Sequence, residues 1–187
     1  MNGYLRAMLT IPNAIIKLSF TKIFHFNGLT FGRMARISSR TEISMDKNAI
    51  LKIGKMFNMR SGSKIRVRKN ANISIGDNVS LSHNCIFACH EKITIGDDVQ
   101  FSPGVLVYDH DHDFKVEGGV KLGKYKTSPI TIGNNVWVGA NSIILRGSKI
   151  GDNSVIAAGS IVKCEVPPNS VFMQKKEAKI YNILEKC

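Results

Sequence analysis

Residues 130–162 read ITIGNNVWVGANSIILRGSKIGDNSVIAAGSIV, and the pattern within them repeats every six residues. One row is aliphatic and β-branched: Ile132, Val138, Ile144, Ile150, Ile156 and Val162. A second row, offset by four residues, is small or β-branched: Val136, Ser142, Ser148, Ser154, Ser160 and Val166. An α-helix, with about 3.6 residues per turn, cannot keep this period on one face, and a simple alternating strand would be apolar at every second position. The period therefore indicates short flat segments separated by corners.

The same phrase occurs earlier in the chain, in ILKIGKM (50–56), ISIGDN (73–78) and ITIGDD (93–98). The isoleucine before each glycine falls at residues 53, 75, 95, 132 and 150, so the spacings are 22, 20, 37 and 18 residues. Eighteen is three units of six, and the other spacings add insertions of 4, 2 and 19 residues. A chain wound into a triangular prism explains these spacings, because each unit supplies one side and one corner. Gly, Asn and Asp tolerate the tight or left-handed turns that corners need.

The charge is distributed unevenly along the 187 residues. The chain has 26 Lys or Arg and 14 Asp or Glu, a net charge of +12. Residues 1–70 hold 14 of the cations and only two acids, whereas residues 71–187 hold twelve of each. A basic block of this kind usually faces an anionic partner such as a membrane surface, an acidic polymer or a nucleic acid. No stretch of 18 uncharged apolar residues is present, so a membrane-spanning helix is not expected.

The first 36 residues are apolar with sparse cations. The segment from Asn13 to His25 predicts a short helix with an apolar side, which Pro12 either precedes or separates from an earlier helix. Two interpretations remain open. The helix packs on its own protein or on a partner subunit, or it lies on a membrane surface, which the nearby cations favour.

The repeated units resemble those of the hexapeptide-repeat acyltransferases over roughly residues 50–170, with weaker repeats back to Ile37. The resemblance implies an all-β solenoid, a left-handed parallel β-helix with short N- and C-terminal helices. We expect a helical segment at 1–36, the β-helix at 37–170 with a protruding loop at 108–129, and a C-terminal helix at 171–187. Members of this family are typically homotrimers, and each active site lies between two subunits.

The protruding loop begins with VLVYDHDHDF (105–114) and resembles the loop of galactoside, maltose and polysaccharide O-acetyltransferases. In those enzymes a histidine, nine residues after a proline, is the catalytic base. Counting from Pro103 gives His112, and His110 is the alternative. A neutral imidazole suits this role because its pKa lies near 6.5. One of the loop aspartates could orient the base, but an extended DHDHD segment places them opposite the histidines, which favours a carboxylate from elsewhere.

The resemblance also implies sites for the two substrates. Small residues would leave room for the acetyl-CoA arm, and lysines would pair with its phosphates: Gly139, Ala140, Ala157, Ala158, Lys163, Lys175, Lys176 and Lys179. The N–H groups of Gly139 and Ala140 are the candidates to stabilise the oxyanion. The expected acceptor contacts are Ser82, Asn84 and Trp137.

We therefore expect an O-acetyltransferase that moves an acetyl group directly from acetyl-CoA to a hydroxyl of a sugar or surface-polysaccharide precursor. The alternatives are a metal-dependent lyase or hydrolase similar to the prism-shaped carbonic anhydrases, a xenobiotic acetyltransferase, and a non-catalytic scaffold. No metal and no nucleic-acid partner are expected. The four scattered cysteines are typical of reduced thiols, and we therefore expect a cytoplasmic protein. Within the cytoplasm, a peripheral position at the inner membrane surface is the more specific alternative.

Overall fold

The computed structural model describes residues 3–175, with side chains from residue 10 onward. This part of the chain contains the helix α1 (Gly3–Phe24) and a 3-10 helix (Gly119–Leu122). The first eleven strands are β1 (Leu29–Phe31), β2 (Arg36–Ile37), β3 (Glu42–Met45), β4 (Ile50–Ile53), β5 (Asn58–Met59), β6 (Lys64–Val67), β7 (Asn72–Ile75), β8 (Ser80–Leu81), β9 (Ile86–Cys89), β10 (Lys92–Ile95) and β11 (Gln100–Phe101). The others are β12 (Leu106–Tyr108), β13 (His110–His112), β14 (Tyr125–Thr127), β15 (Ile130–Ile132), β16 (Trp137–Val138), β17 (Ile143–Leu145), β18 (Lys149–Ile150), β19 (Val155–Ile156), β20 (Ile161–Val162), β21 (Glu165–Val166) and β22 (Val171–Phe172).

Three parallel sheets form the sides of a prism. Sheet 1 has the order β1-β4-β7-β10-β15-β18-β21, sheet 2 the order β2-β5-β8-β11-β16-β19-β22, and sheet 3 the order β3-β6-β9-β12-β17-β20. The chain visits the sheets in turn, so each strand pairs with the strand one coil above it. The predicted fold class, a parallel β-helix solenoid, is confirmed.

The register of sheet 1 follows the spacing found in the sequence. Ile53 lies beside Ile75, Ile75 beside Ile95, and Ile132 beside Ile150. Ile95 also pairs directly with Ile132, although 37 residues separate them. The insertion therefore leaves the coil and returns without disturbing the stacking.

The aliphatic row fills the interior of the prism. All six members of that row in residues 132–162 are at most 2% exposed, and each contributes about 1.5–3 kcal/mol of transfer free energy. The serines of the second row are also buried, and the hydroxyls of Ser142, Ser148 and Ser154 donate to backbone carbonyls. Ser148 Oγ, for example, donates to the oxygens of Leu145 (2.7 Å) and Val162 (3.0 Å).

At the corners that follow the Ile-Gly phrases, the glycine and the Asn or Asp two residues later have different roles. The left-handed conformation is taken two residues after the glycine, at Asn78, Asp98, Asn135 and Asn153, with φ between 52° and 59°. The glycines themselves are needed because the next coil passes too close for a side chain. A Cβ on Gly96 would lie 2.8 Å from the carbonyl carbon and oxygen of Gly133.

Replacing Gly96 by alanine is expected to lower the free energy of unfolding by about 1–3 kcal/mol, because the new methyl group would meet Asn134 Oδ1 and the backbone carbonyl group of Gly133 in the next coil. Urea denaturation of the two proteins measures the change. Thr131→Ala, an exposed position on sheet 1, is the control and should change stability by less than about 0.5 kcal/mol. Equal effects of the two substitutions would contradict the steric explanation.

Helix α1 closes the N-terminal end of the prism. Ala14 and Leu18, one turn apart, are buried against the first coil. Asn13 Nδ2 donates to the carbonyl of Ile37 (2.7 Å), and Lys17 Nζ donates to that of Thr41 (2.6 Å). Within the described chain, the structure contains no helix with the length and apolar character required to cross a bilayer.

Three boundaries differ from the sequence prediction. Helix α1 runs through Pro12 without a break, since this exposed proline removes only one backbone hydrogen bond of a helix that the solenoid already holds. The coils begin at Leu29 instead of residue 37, because β1 already pairs with β4. At the other end β22 extends the solenoid past residue 170. The rest of the C-terminal helix predicted at 171–187 lies outside the described residues.

Candidate active site

The 19-residue insertion forms an antiparallel hairpin at the corner between sheets 3 and 1. In the hairpin β13 pairs with β14, placing His110 opposite Thr127 and His112 opposite Tyr125. The backbone N–H of Ser128 donates to the carbonyl of Asp109 (2.9 Å) and closes its base. We name the turns from sheet 3 to sheet 1, which are residues 90–91, 109–129, 146–148 and 163–164, the hairpin corner.

Two ion pairs stabilise the hairpin, one between the hairpin and the solenoid and one within the hairpin. Arg146, at the start of the next turn of the same corner, places Nε 2.6 Å from Asp111 Oδ2. Lys126 Nζ on β14 lies 3.2 Å from Asp113 Oδ1, which directly follows β13. Two of the three loop aspartates therefore hold the loop itself.

The third aspartate, Asp109, is fully buried and is the acceptor for a set of converging donors. The backbone N–H groups of His90, Glu91 and Lys92 approach its carboxylate oxygens at 2.8, 2.7 and 2.9 Å. Cys89 Sγ lies 3.2 Å from Oδ2. Burial alone would raise the pKa of Asp109, but the hydrogen bonds from His110 and from these peptide groups outweigh it and hold the pKa below 3.8.

His110 is oriented by this carboxylate. Its Nδ1 lies 3.1 Å from Asp109 Oδ1, and the side chain is 14% exposed. Because the carboxylate only accepts, Nδ1 carries the proton in the neutral ring and Nε2 is left as the basic nitrogen. The ring stacks on His90, with centroids 3.8 Å apart. Burial, with a further contribution from the neighbouring His110, lowers the pKa of His90 to about 4, so His90 is neutral near pH 7.

His112 lies further out on the same strand and is exposed. Its ring packs on Tyr125, with centroids 4.7 Å apart, and Tyr125 also contacts the ring of His90 at 4.1 Å. Among the described residues, no group forms a hydrogen bond with the His112 ring. For His110, the expectation of a carboxylate from elsewhere in the chain is wrong, because its partner is the adjacent loop aspartate Asp109.

The predicted substrate residues lie at another corner. We name the turns from sheet 2 to sheet 3, which are residues 82–85, 102–105, 139–142 and 157–160, the groove corner. The structure brings these turns, and with them the predicted residues Ser82, Asn84, Gly139, Ala140, Ala157 and Ala158, into one column. Trp137 precedes this corner on β16, is 55% exposed, and donates from Nε1 to Ser102 Oγ at 2.9 Å.

The two candidate oxyanion donors differ in whether their backbone N–H group is already hydrogen-bonded. The N–H of Gly139 donates to the carbonyl of Ile156 (2.8 Å), so it is not free for a ligand. The N–H of Ala140 makes no hydrogen bond within the described chain. Gly139 instead has a packing role, since a Cβ there would lie 2.7 Å from that same Ile156 oxygen. Asn84 likewise has a structural reason for its identity, because its φ of 59° is left-handed.

The predicted phosphate-binding lysines do not form one group. Lys163 belongs to the hairpin corner, and Lys175 follows β22 above the groove corner. Both are exposed, and neither has an ion-pair partner in the described part of the chain. Lys176 and Lys179 lie outside the described residues.

Nothing else in the described chain forms a comparable cluster. Across residues 3–175, no three His, Cys, Asp or Glu side chains are placed to hold a metal ion. Cys85 and Cys89 are buried free thiols, and burial raises the pKa of each. They are thus held as protonated thiols near neutral pH, which does not favour nucleophilic catalysis.

Comparison with known proteins agrees with this geometry. A family described as bacterial transferase hexapeptide (six repeats) matches residues 129–172. The chain carries the hexapeptide repeat. The resemblance predicted from the sequence is thereby confirmed, and the matched repeats include β15 to β22.

Named relatives of this hexapeptide-repeat chain are acyltransferases. Galactoside O-acetyltransferase of Escherichia coli K12 is 45% identical over 96 residues, which cover 51% of this chain and 47% of that protein. The chain thus matches about half the length of this curated relative. A maltose O-acetyltransferase structure from Clostridium difficile 630 shares 27% identity and a TM-score of 0.50, covering 86% and 81% of the two chains. The N-acyltransferase AntD of Bacillus cereus has a TM-score of 0.67 at 19% identity, covers 81% of each chain, and shows the shared fold.

The sequence reasoning missed the role of Asp109. Inward-facing residues of β12 alternate, and Asp109 continues the buried series Val105 and Val107 beyond the strand end. It therefore lies over Cys89 of the coil below, which the register of β12 with β9 places beneath it. This alternation of buried residues is the sequence feature from which the inward position of Asp109 could have been predicted. His90 and Tyr125 could be found only from the register and the hairpin pairing.

Proposed function

We propose that the chain is an acyl-CoA-dependent O-acetyltransferase that acts on a hydroxyl of a sugar or surface-polysaccharide precursor. The observation that carries the proposal is the hairpin corner, where the buried Asp109 carboxylate orients one imidazole and a second stands exposed two residues later. The 45% identity to a galactoside O-acetyltransferase supports a sugar as the acceptor class.

In the proposed reaction His112 is the general base. Its exposed ring takes the proton as the acceptor hydroxyl attacks the thioester carbonyl, the new C–O bond forms, and the C–S bond breaks. The proton then passes to the departing thiolate, so that free CoA and the ester leave. His110, held by Asp109, stands two residues before the base on the same strand. The N–H of Ala140, which has no partner within the described chain, is the donor for the oxyanion.

The two corners point to an assembly. Within one chain the hairpin corner joins sheets 3 and 1, whereas the groove corner joins sheets 2 and 3, so the base and the groove do not meet. We infer that the hairpin of one subunit faces the groove corner of its neighbour in a cyclic homotrimer. Three copies arranged head-to-tail would complete three equivalent sites.

Mixing two inactive variants tests the shared site. Alone, His112→Ala removes the base and Ala158→Trp fills the groove corner with a bulky, exposed side chain. In a random 1:1 mixture three quarters of the trimers contain both variants, and each has one interface of three with both parts intact. We expect about a quarter of wild-type activity after coexpression. Failure to recover any activity would contradict a site shared between subunits.

An acceptor screen tests the function directly. Release of free thiol from acetyl-CoA should depend on an added galactoside, maltose or another glycan, and acetyl-CoA should raise the melting temperature. Thiol release without dependence on any acceptor, together with no thermal shift, would contradict the proposal. A cytoplasmic location fits the free thiols of Cys85 and Cys89 and is proposed on that ground.

A further inference from the structure

The outward face of α1 is apolar although it faces solvent. Ile16, Phe20 and Ile23 are 70%, 63% and 72% exposed. They lie on the side of the helix opposite Ala14 and Leu18, which pack on the solenoid. A surface helix of a globular protein normally carries charged and polar residues on that side. The pattern therefore indicates a second apolar contact beyond the solenoid.

The apolar surface continues beyond the helix. Phe24, Phe26 and Met34 are each at least 65% exposed. Between α1 and the first coil lies an apolar groove of about 330 Å³, lined in part by Ile11, Ile15 and Arg33. Several large apolar side chains are thus exposed together at the N-terminal end of the prism, as at an interaction surface.

The same end of the molecule is strongly basic. Residues 1–41 contain six Lys or Arg and no Asp or Glu. Lys22 lies over the ring of Phe26, Arg33 lines the groove, and Arg36 belongs to β2, on which α1 packs. No carboxylate pairs with these three cations or with Arg40 within residues 3–175. Lys17 has a different role, because its Nζ donates to the carbonyls of Ser39 and Thr41 and holds the helix on the solenoid. The apolar face of α1 is therefore presented on a firmly docked helix.

We propose that this face of α1 lies in the headgroup region of an anionic lipid bilayer. The exposed Ile and Phe side chains enter the acyl boundary, and the surrounding cations meet lipid phosphates. A second copy of the chain fits the face less well, since a self-contact would bring unneutralised cations together. The inference goes beyond the proposed acyl transfer and does not depend on it.

Cosedimentation with vesicles tests the proposal on the full chain. The probes are phosphatidylcholine vesicles and vesicles that contain phosphatidylglycerol as well, each at low and at high salt. We expect the protein to pellet with the anionic vesicles at low salt and to be released by high salt, because surface charges are screened. The double variant Ile16→Ser/Ile23→Ser should reduce the partition coefficient roughly tenfold or more.

A matched control separates this face from general hydrophobicity. Val171→Ser/Met173→Ser removes two apolar side chains of equal exposure, 69% and 74%, at the other end of the solenoid, and should bind like the wild type. Arg33→Gln/Arg36→Gln should weaken binding, whereas Lys92→Gln/Lys149→Gln should not. Wild-type protein that stays in the supernatant at low salt would overturn the proposal. A loss of oligomer mass in lipid-free Ile16→Ser/Ile23→Ser, without vesicle binding by the wild type, would assign the face to a second copy instead.

Discussion

The His112→Ala variant is expected to lose acetyl transfer almost completely, with kcat/KM lower by about 10²–10⁴-fold, the usual contribution of a general base. The side chain is exposed and forms no hydrogen bond within the described chain, so its removal leaves the fold intact. Acetyl-CoA affinity should be unchanged, because the groove contacts proposed to hold acetyl-CoA come from residues of the neighbouring subunit and not from His112. Initial rates of thiol release and a binding titration measure the two effects separately.

His110→Ala is the companion variant for this test. Because His110 is only 14% exposed and is bonded to Asp109, its loss should lower both activity and melting temperature. His112→Gln keeps the side-chain size without a basic nitrogen and should be as inactive as His112→Ala. An active His112→Ala enzyme beside an inactive but folded His110→Ala enzyme would move the base to His110 and contradict the assignment.

The architecture was accessible from the sequence because each inward position is determined locally. Only a coil of three six-residue sides buries every Ile and Val of the row. The pairing of Ile95 with Ile132 then follows, because their spacing of 37 residues is one coil of 18 plus the insertion of 19. The extent of the solenoid was less accessible. Leu29–Phe31 carries no Ile-Gly phrase, yet it pairs with β4 because α1 covers its open end.

The candidate site was predictable only in part. The spacing from Pro103 identified the loop and its two histidines, but the alternation argument assigned the loop aspartates to the opposite side. Asp109 is the exception because it still belongs to the coil, where its carboxylate points inward to the peptide groups at residues 90–92. Local alternation along β13 carries no information about donors from the coil below.

Replacing Asp109 by alanine is expected to lower the free energy of unfolding by about 3–5 kcal/mol. The peptide N–H groups of residues 90–92 and the His110 ring would lose the buried carboxylate that they share, and each donor left unpaired away from water costs about 1–3 kcal/mol. Urea denaturation near pH 7.5 measures the change. Asp111→Ala, which breaks a half-exposed ion pair with Arg146, should cost less than about 1 kcal/mol. Similar, small losses in the two variants would refute the structural role of Asp109.

The pH dependence of the free energy of unfolding distinguishes the contribution of Asp109 from that of the His90 imidazole. The native pKa of Asp109 lies below its ordinary value of 3.8, so the wild type should keep its advantage over Asp109→Ala above that pH and lose it only as the pH falls further. The native pKa of His90, about 4, is also depressed, from 6.5. Its contribution to wild-type stability is present above pH 6.5 and fades as the pH falls toward about 4. A difference between wild type and Asp109→Ala that vanished already at pH 6 would show that the carboxylate is protonated in the native fold and would contradict its place as the charged acceptor of the site.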